Sequence, residues 1–369
     1  MRVLVACDKF KGALTATEAN EAARRGLGEG VETRLCPIAD GGEGFAETLV
    51  NAHGGVMVRT VACDPLGRVV PATYGMIRAR GVLTAVIEMA AVSGMWRLLP
   101  GERNPLLAST FGTGELMRHA VEVSRAERLW IGLGGSATND GGVGMAAALG
   151  VRFLDAGGNE LAPRPEELAT LAAVDESGRI ALPEVLAACD VDNPLLGGRG
   201  ATAVFGPQKG ATLQDEALLE SALGRLVAVS GGETWETFPG AGAAGGLGFG
   251  LLRFAGARLT PGFDLVATAL GLAEAVEWAD LVVTGEGCLD AQTAGGKGPS
   301  GVARLARGAG KPVVAFAGIV HPEGAALFDA AFALMPPGMS RDEAVARAAG
   351  LLEGEVRKVA GLLSALAGG

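Results

Sequence analysis

Short apolar runs that stop at glycines or acids alternate along the chain with stretches whose apolar residues recur every three or four positions. Val3 to Cys7, Val82 to Met89, Leu129 to Leu133, Val185 to Cys189, Leu281 to Thr284 and Val313 to Ala317 are of the first kind and predict buried strands. Helices are predicted from Thr15 to about Leu27 and over Glu115 to Val123, Val143 to Leu149, Glu216 to Val229, Phe263 to Trp278 and Gly301 to Arg307. The first opens on a capping box, Thr15 with Glu18, and carries one small apolar face of Ala19, Ala22, Ala23, Gly26 and Leu27. Arg341 to Leu366 predicts one or two amphipathic closing helices, and Pro163 to Pro183 a surface excursion. Strands interleaved with helices imply parallel sheets covered on both faces, an α/β protein.

Four predicted strands run into polar loops: Cys7 into Asp8 and Lys11, Leu133 into Gly134-Gly135-Ser136, Cys189 into Asp190 and Asp192, and Thr284 into Gly285-Glu286-Gly287. Open parallel sheets bind ligands beyond the carboxyl ends of their strands, so these loops are the candidate site. A length of 369 residues suggests two domains, and 49% hydrophobic residues can fill two cores. The 59 glycines cluster in short runs beside apolar segments, as tight loops at strand ends require. Aromatics at 5% and a net charge of −10 argue against a nucleic-acid surface. Five scattered cysteines without a CxxC pair fit a reducing compartment, and the three histidines stand in no metal-ligand spacing. The apolar N-terminal run is shorter than a signal peptide requires, so none is expected, and no apolar stretch reaches the about 18 residues of a membrane span. The expected location is the cytoplasm.

Gly134-Gly135-Ser136-Ala137-Thr138-Asn139-Asp140 follows a strand and offers close backbone approach, hydroxyl donors and a helix start, the parts of a phosphate cradle. It is neither a Walker A sequence nor GxGxxG, and a tight turn with an Asx cap explains it equally well. Asp40 and Glu43 between glycines suit a hydrated Mg²⁺ or substrate hydroxyls, or simply cap a helix. Asp190 at a strand end can take a proton from an attacking alcohol, and Asp192 follows it. Thr284 to Ser300 gathers Glu286, Asp290, Gln292, Thr293 and Lys297, with Pro299 early in the next helix. Thr113 is a candidate N-cap or phosphate contact, and Lys209, in a turn, reads as a solvated charge.

Taken in order, eight motifs resemble the type I glycerate kinase family: Asp8-Lys9-Phe10-Lys11-Gly12, Ala39 to Gly44, Phe111 to Glu115, Gly134 to Gly142, Cys189 to Leu195, Phe205 to Gly210, Thr284 to Gly287, and the stretch Asp290, Gln292, Thr293, Lys297. The resemblance implies ATP-dependent phosphorylation of D-glycerate, at the 2-hydroxyl, with Mg²⁺. It also implies two α/β domains with the site in their cleft: a Rossmann-like one with a parallel sheet built from both chain ends, residues 1–77 and 285–369, and an inserted one, 78–284. On this reading Asp190 is the base, while Lys11 and Lys297 neutralise charge. Gly134 to Asp140 hold the nucleotide phosphates. Asp8, Asp40, Glu43, Asp290, Gln292 and Thr293 contact substrate, and Asp190, Asp192 and Glu286 hold the metal. Partners are ATP and the small acid, with no nucleic acid or membrane; a homo-oligomer is left open. Two features depart from the pattern: Cys288 stands where many relatives are expected to carry a basic residue, and Gly295-Gly296 replaces a bulkier pair. The alternatives are a kinase for another hydroxy or sugar acid and a non-catalytic nucleotide- or metabolite-binding regulator. A nicotinamide oxidoreductase is disfavoured by the missing GxGxxG.

Overall fold

The structure, a computed structural model, describes residues 1–39, 41–291, 293 and 298–367. Strands β1 (Arg2–Cys7) and β2 (Glu32–Leu35) lie in the first arm of the chain. The central stretch holds β3 (Val56–Cys63), β4 (Val69–Ala79), β5 (Val82–Glu88), β6 (Arg128–Gly132), β7 (Arg152–Leu154), β8 (Ala173–Asp175), β9 (Glu184–Ala188) and β10 (Arg258–Thr260). The returning arm supplies β11 (Leu281–Leu289), β12 (Val313–Val320) and β13 (Ala330–Ala333). The chain divides into two compact units, Met1–Asp40 with Gly262–Gly369, and Gly41–Pro261.

The first unit is a parallel sheet in the order β13-β12-β11-β1-β2. Alternation along β1 sends Val3, Val5 and Cys7 to one face and Leu4 and Ala6 to the other, and both faces are covered. The helix Ala16–Leu27 buries its predicted small face of Ala19, Ala22, Ala23, Gly26 and Leu27, and shares a core with Leu352 and Val356 of the helix Ala348–Ala367. Its capping box forms: Thr15 Oγ1 accepts from the Glu18 N–H while the Glu18 carboxylate accepts from the Thr15 N–H. The other face is covered by the helix Pro299–Gly308 and by Phe263, Leu272 and Val276. The helix predicted over Phe263 to Trp278 breaks at Gly271 (φ 62°) into Gly262–Leu270 and Leu272–Trp278.

The second unit carries a mixed sheet in the order β10-β9-β6-β5-β4-β3, with β10, β9, β6 and β5 parallel and the β5-β4-β3 edge antiparallel. This edge moves the division of the chain from the anticipated 77/78 to 40/41. Because β3 and β4 pair onward to β5, they extend the second sheet. The second division falls at 261/262 and not at 284/285, since Phe263, Leu272 and Val276 pack in the first unit's core. The excursion predicted over Pro163 to Pro183 is partly core: Leu168 and Leu171 are fully buried beneath the helix Leu213–Ser230. Among the described residues no helix is long and apolar enough to cross a membrane.

Candidate active site

In the first unit the strand order reverses between β1 and β11, the position at which open α/β sheets take ligands. Asp8 follows β1 directly and is buried; its N–H donates to the Gly285 carbonyl (2.9 Å) and its Oδ1 accepts from the Lys9 N–H (2.6 Å). Asn20, wholly buried on the helix Ala16–Leu27, clasps the end of β1 by donating to the Cys7 carbonyl (3.0 Å) and accepting from its N–H (3.3 Å). Gly298 (φ +45°) leads into the helix Pro299–Gly308, and a Cβ there would stand 2.7 Å from Asp8 Oδ2, so only glycine lets this turn close on the carboxylate.

At the end of β11, Thr293 ties two acids together. Its hydroxyl donates to Glu286 Oε1 (2.8 Å) and accepts from the Asp290 N–H (3.1 Å). Lys11 is exposed on the loop after β1, with its backbone N beside Gly287. Asp8, Lys11, Glu286, Asp290 and Thr293 thus gather at the tips of adjacent strands. Cys288 Sγ stands 3.9 Å from Asp290 Oδ2. Burial first, then the carboxylates of Asp290 and Glu286, push its thiol up, so this side chain stays neutral where a cation was anticipated. Gln292 and Lys297 lie outside the described residues, as does Asp40.

In the second unit the tips of β5, β6 and β9 converge beneath the turn at residues 41–44. A Cβ on Gly132, the last residue of β6, would stand 2.3 Å from the Gly41 carbonyl, and one on Gly41 (φ +83°) would stand 2.6 Å from the Ala188 Cβ at the end of β9. Glycine at both positions lets the turn rest on the sheet. Glu88, the last residue of β5, accepts from the Ala46 N–H (2.8 Å) at the start of the helix Phe45–His53. Glu43 is exposed on the turn, and Asp190 is half-buried two residues past β9.

The cradle expected over Gly134 to Asp140 narrows to its tip. Gly134 is half-buried and Gly135 exposed, but Ser136, Ala137, Thr138, Asn139 and Asp140 are buried, and the last three have side-chain partners within the protein, Asn139 through its amide nitrogen while its Oδ1 has none. The Thr138 hydroxyl donates to the Ala244 carbonyl (3.4 Å), and Asn139 Nδ2 donates to Thr202 Oγ1 (2.9 Å). Asp140 accepts from the Thr110 N–H (2.7 Å), the Thr110 hydroxyl (2.8 Å), and the N–H groups of Gly142 (3.0 Å) and Gly144 (3.2 Å). Burial pushes the Asp140 carboxyl up, and these donors pull it back. These polar side chains brace the loop from beneath.

Lys209, taken from the sequence as solvated, is 1% exposed. Its ammonium donates to the Thr138 carbonyl (2.7 Å), and burial pulls it down to about 7 although Asp140 opposes the shift. Thr113 is also buried, hydrogen-bonded to Ser93 (2.8 Å), and the helix Phe111–Glu122 begins two residues before it, so it neither caps nor faces a phosphate. Asp192 makes an exposed two-oxygen ion pair with Arg199, both at 3.0 Å. Sequence reasoning missed Glu88 and Asn20. The acid closing the Val82 run was the available signal for Glu88, whereas an asparagine within a helical face carries none.

Two sheets with carboxylates and glycine turns at the carboxyl ends of parallel strands are the arrangement of an α/β protein that takes small ligands at its strand tips. Residues 3–364 match the glycerate kinase family, and the chain belongs to it. It is 44% identical to glycerate kinase from Bacillus subtilis (strain 168), over 98% of this chain and 97% of that one. It is 42% identical to glycerate 2-kinase from Escherichia coli (strain K12), over 93% of each. The crystal structure of a candidate glycerate kinase 2 from Salmonella typhimurium LT2 superposes with a TM-score of 0.89 at 41% identity, covering 99% of this chain and 98% of that one.

Proposed function

We propose that this chain transfers the γ-phosphoryl group of ATP to the 2-hydroxyl of D-glycerate, giving 2-phosphoglycerate and ADP. The reading is supported by 42% identity to a glycerate 2-kinase over 93% of both chains. Asp190 accepts the hydroxyl proton as that oxygen attacks the γ-phosphorus, and the β–γ bridging oxygen leaves with ADP. The Gly134–Gly135 tip, half-buried at Gly134 and exposed at Gly135, lets backbone N–H groups approach the phosphates. Lys11 and Lys297 neutralise charge on the carboxylate or the transferred group, and Asp8, Asp40, Glu43, Asp290, Gln292 and Thr293 face the substrate.

Carboxylate oxygens are the ligands Mg²⁺ takes, and Asp190, Asp192 and Glu286 would supply them. Among the described residues no group of three or more His, Cys, Asp or Glu could hold a metal, but Mg²⁺ takes one or two carboxylates and completes its shell with phosphate oxygens and water. Asp190 and Glu286 are half-buried carboxylates at strand tips, and Asp192 gives up only an exposed ion pair, worth at most about 1 kcal/mol. When bound, the ion would offset charge on the phosphates.

Asp190→Asn, assayed by coupled ADP release with D-glycerate, should lose turnover by orders of magnitude while unfolding like the wild type. Near-normal turnover removes Asp190 from the base role. A panel of other hydroxy and sugar acids in the same assay tests the substrate assignment.

A further inference from the structure

Of the four tryptophans Trp130 is buried and Trp235 and Trp278 are half-buried, whereas Trp96 is 66% exposed. Its exposure is not looseness. The indole N–H donates to the Ala90 carbonyl at 2.7 Å, fixing one edge of the ring. The Arg97 guanidinium lies over the ring at 4.1 Å from its centroid, and is itself held by the Ala91 carbonyl (2.9 and 2.6 Å) and the Pro71 carbonyl (2.9 Å). With an edge and one face occupied, the exposed surface is chiefly the opposite face.

The turn bearing this ring, Met95–Arg97, is stitched to the glycine loop at the end of β6. The Met95 N–H donates to the Gly135 carbonyl (2.9 Å), the Ala137 N–H donates to the Ser93 carbonyl (2.9 Å), and Gly94 bridges Ser136. Phosphates resting on Gly134–Gly135 would leave the rest of a nucleotide beside the turn that carries Trp96. A flat, electron-rich face held still by its neighbours loses little freedom when a second planar ring stacks on it.

We propose that the open face of Trp96 is the platform on which the purine base of the nucleotide stacks. The proposal rests on the ATP-dependent reading above. Arg97, behind the indole, keeps the platform in place, and the ring takes the base by its face and not through base-edge hydrogen bonds. Discrimination between adenine and guanine is therefore weak at this point of the site, because every base presents a π-face.

The test is ADP binding by calorimetry, with inorganic tripolyphosphate as a ligand that has the phosphates and lacks the base. Trp96→Ala should weaken ADP about tenfold, within the range for loss of one stacking side chain, and raise the KM for ATP in proportion. Trp96→Phe should recover most of the loss, and tripolyphosphate should bind both variants as it binds the wild type. Melting followed by circular dichroism establishes that each variant is folded. Undiminished ADP affinity in Trp96→Ala overturns the proposal, and so does an equal loss of ADP and tripolyphosphate, which would mean a displaced loop. A wild type that binds ADP but leaves glycerate unphosphorylated sinks the substrate assignment and keeps the stacking result readable. One that binds no nucleotide overturns both.

Discussion

Replacing Lys209 by methionine should abolish a pH dependence of stability that the wild type owes to one buried amine. In the folded chain burial pulls this group from 10.5 to about 7, while in the unfolded chain it titrates near its ordinary value. Between those two values the unfolded state holds a proton that the folded state has shed. Stability therefore rises with pH across that window, is complete above about 10.5, and is flat below about 7. At about 1.4 kcal/mol per pH unit, the whole window is worth roughly 5 kcal/mol and the span from pH 7.5 to 9.5 about 2–3 kcal/mol. A single-pH comparison would mix this with the orphaned Thr138 carbonyl, which costs about 1–3 kcal/mol, so the difference between two pH values is the readout. Urea unfolding at pH 7.5 and 9.5 in a Trp278→Phe background leaves only Trp96, Trp130 and Trp235, all in the second unit, to report by fluorescence. Wild type should gain about 2–3 kcal/mol over the methionine variant on going from pH 7.5 to 9.5. Parallel pH profiles would refute the buried, depressed amine.

Two further substitutions probe how the strand tips are held. Gly132→Ala places a Cβ 2.3 Å from the Gly41 carbonyl and 3.2 Å from the Phe45 ring, and should lower the unfolding free energy of the second unit by about 1–3 kcal/mol while displacing the turn at 41–44; an unchanged urea midpoint contradicts the close packing. Thr293→Val removes the hydroxyl that joins Glu286 and Asp290, and should raise the KM for glycerate with a stability cost of about 1 kcal/mol; an unaltered KM would detach this bridge from substrate binding.

Strand positions were legible where both faces are buried. The runs at Val3, Val82, Leu129, Val185, Leu281 and Val313 all became parallel strands, because a strand covered on both sides is apolar throughout. The antiparallel ribbon β3-β4 was not legible. Its residues Val56, Met57, Val61 and Val69 are exposed, and Arg59 and Thr60 interrupt the pattern, so nothing marked it as sheet or as part of the second unit. The capping box of Thr15 is local and was read correctly. Lys209 and Asp140 were misread for the opposite reason. Their surroundings are set by Thr138, 71 residues before Lys209, and by Thr110, 30 residues before Asp140, and no local pattern announces a partner at that separation. A glycine-flanked hydroxyl-and-acid segment looks the same whether it cradles a ligand or braces a loop. Burial distinguishes the two, and here it leaves only Gly134 and Gly135 accessible.

The central claim is the transfer of phosphate to one hydroxyl of glycerate. Incubating the wild-type chain with ATP, Mg²⁺ and D-glycerate, and resolving the product by phosphorus NMR against both phosphoglycerate standards, tests it directly. The expected products are 2-phosphoglycerate and ADP in equal amounts. ADP release that does not respond to glycerate, or a product phosphorylated only at the 3-position, would contradict it.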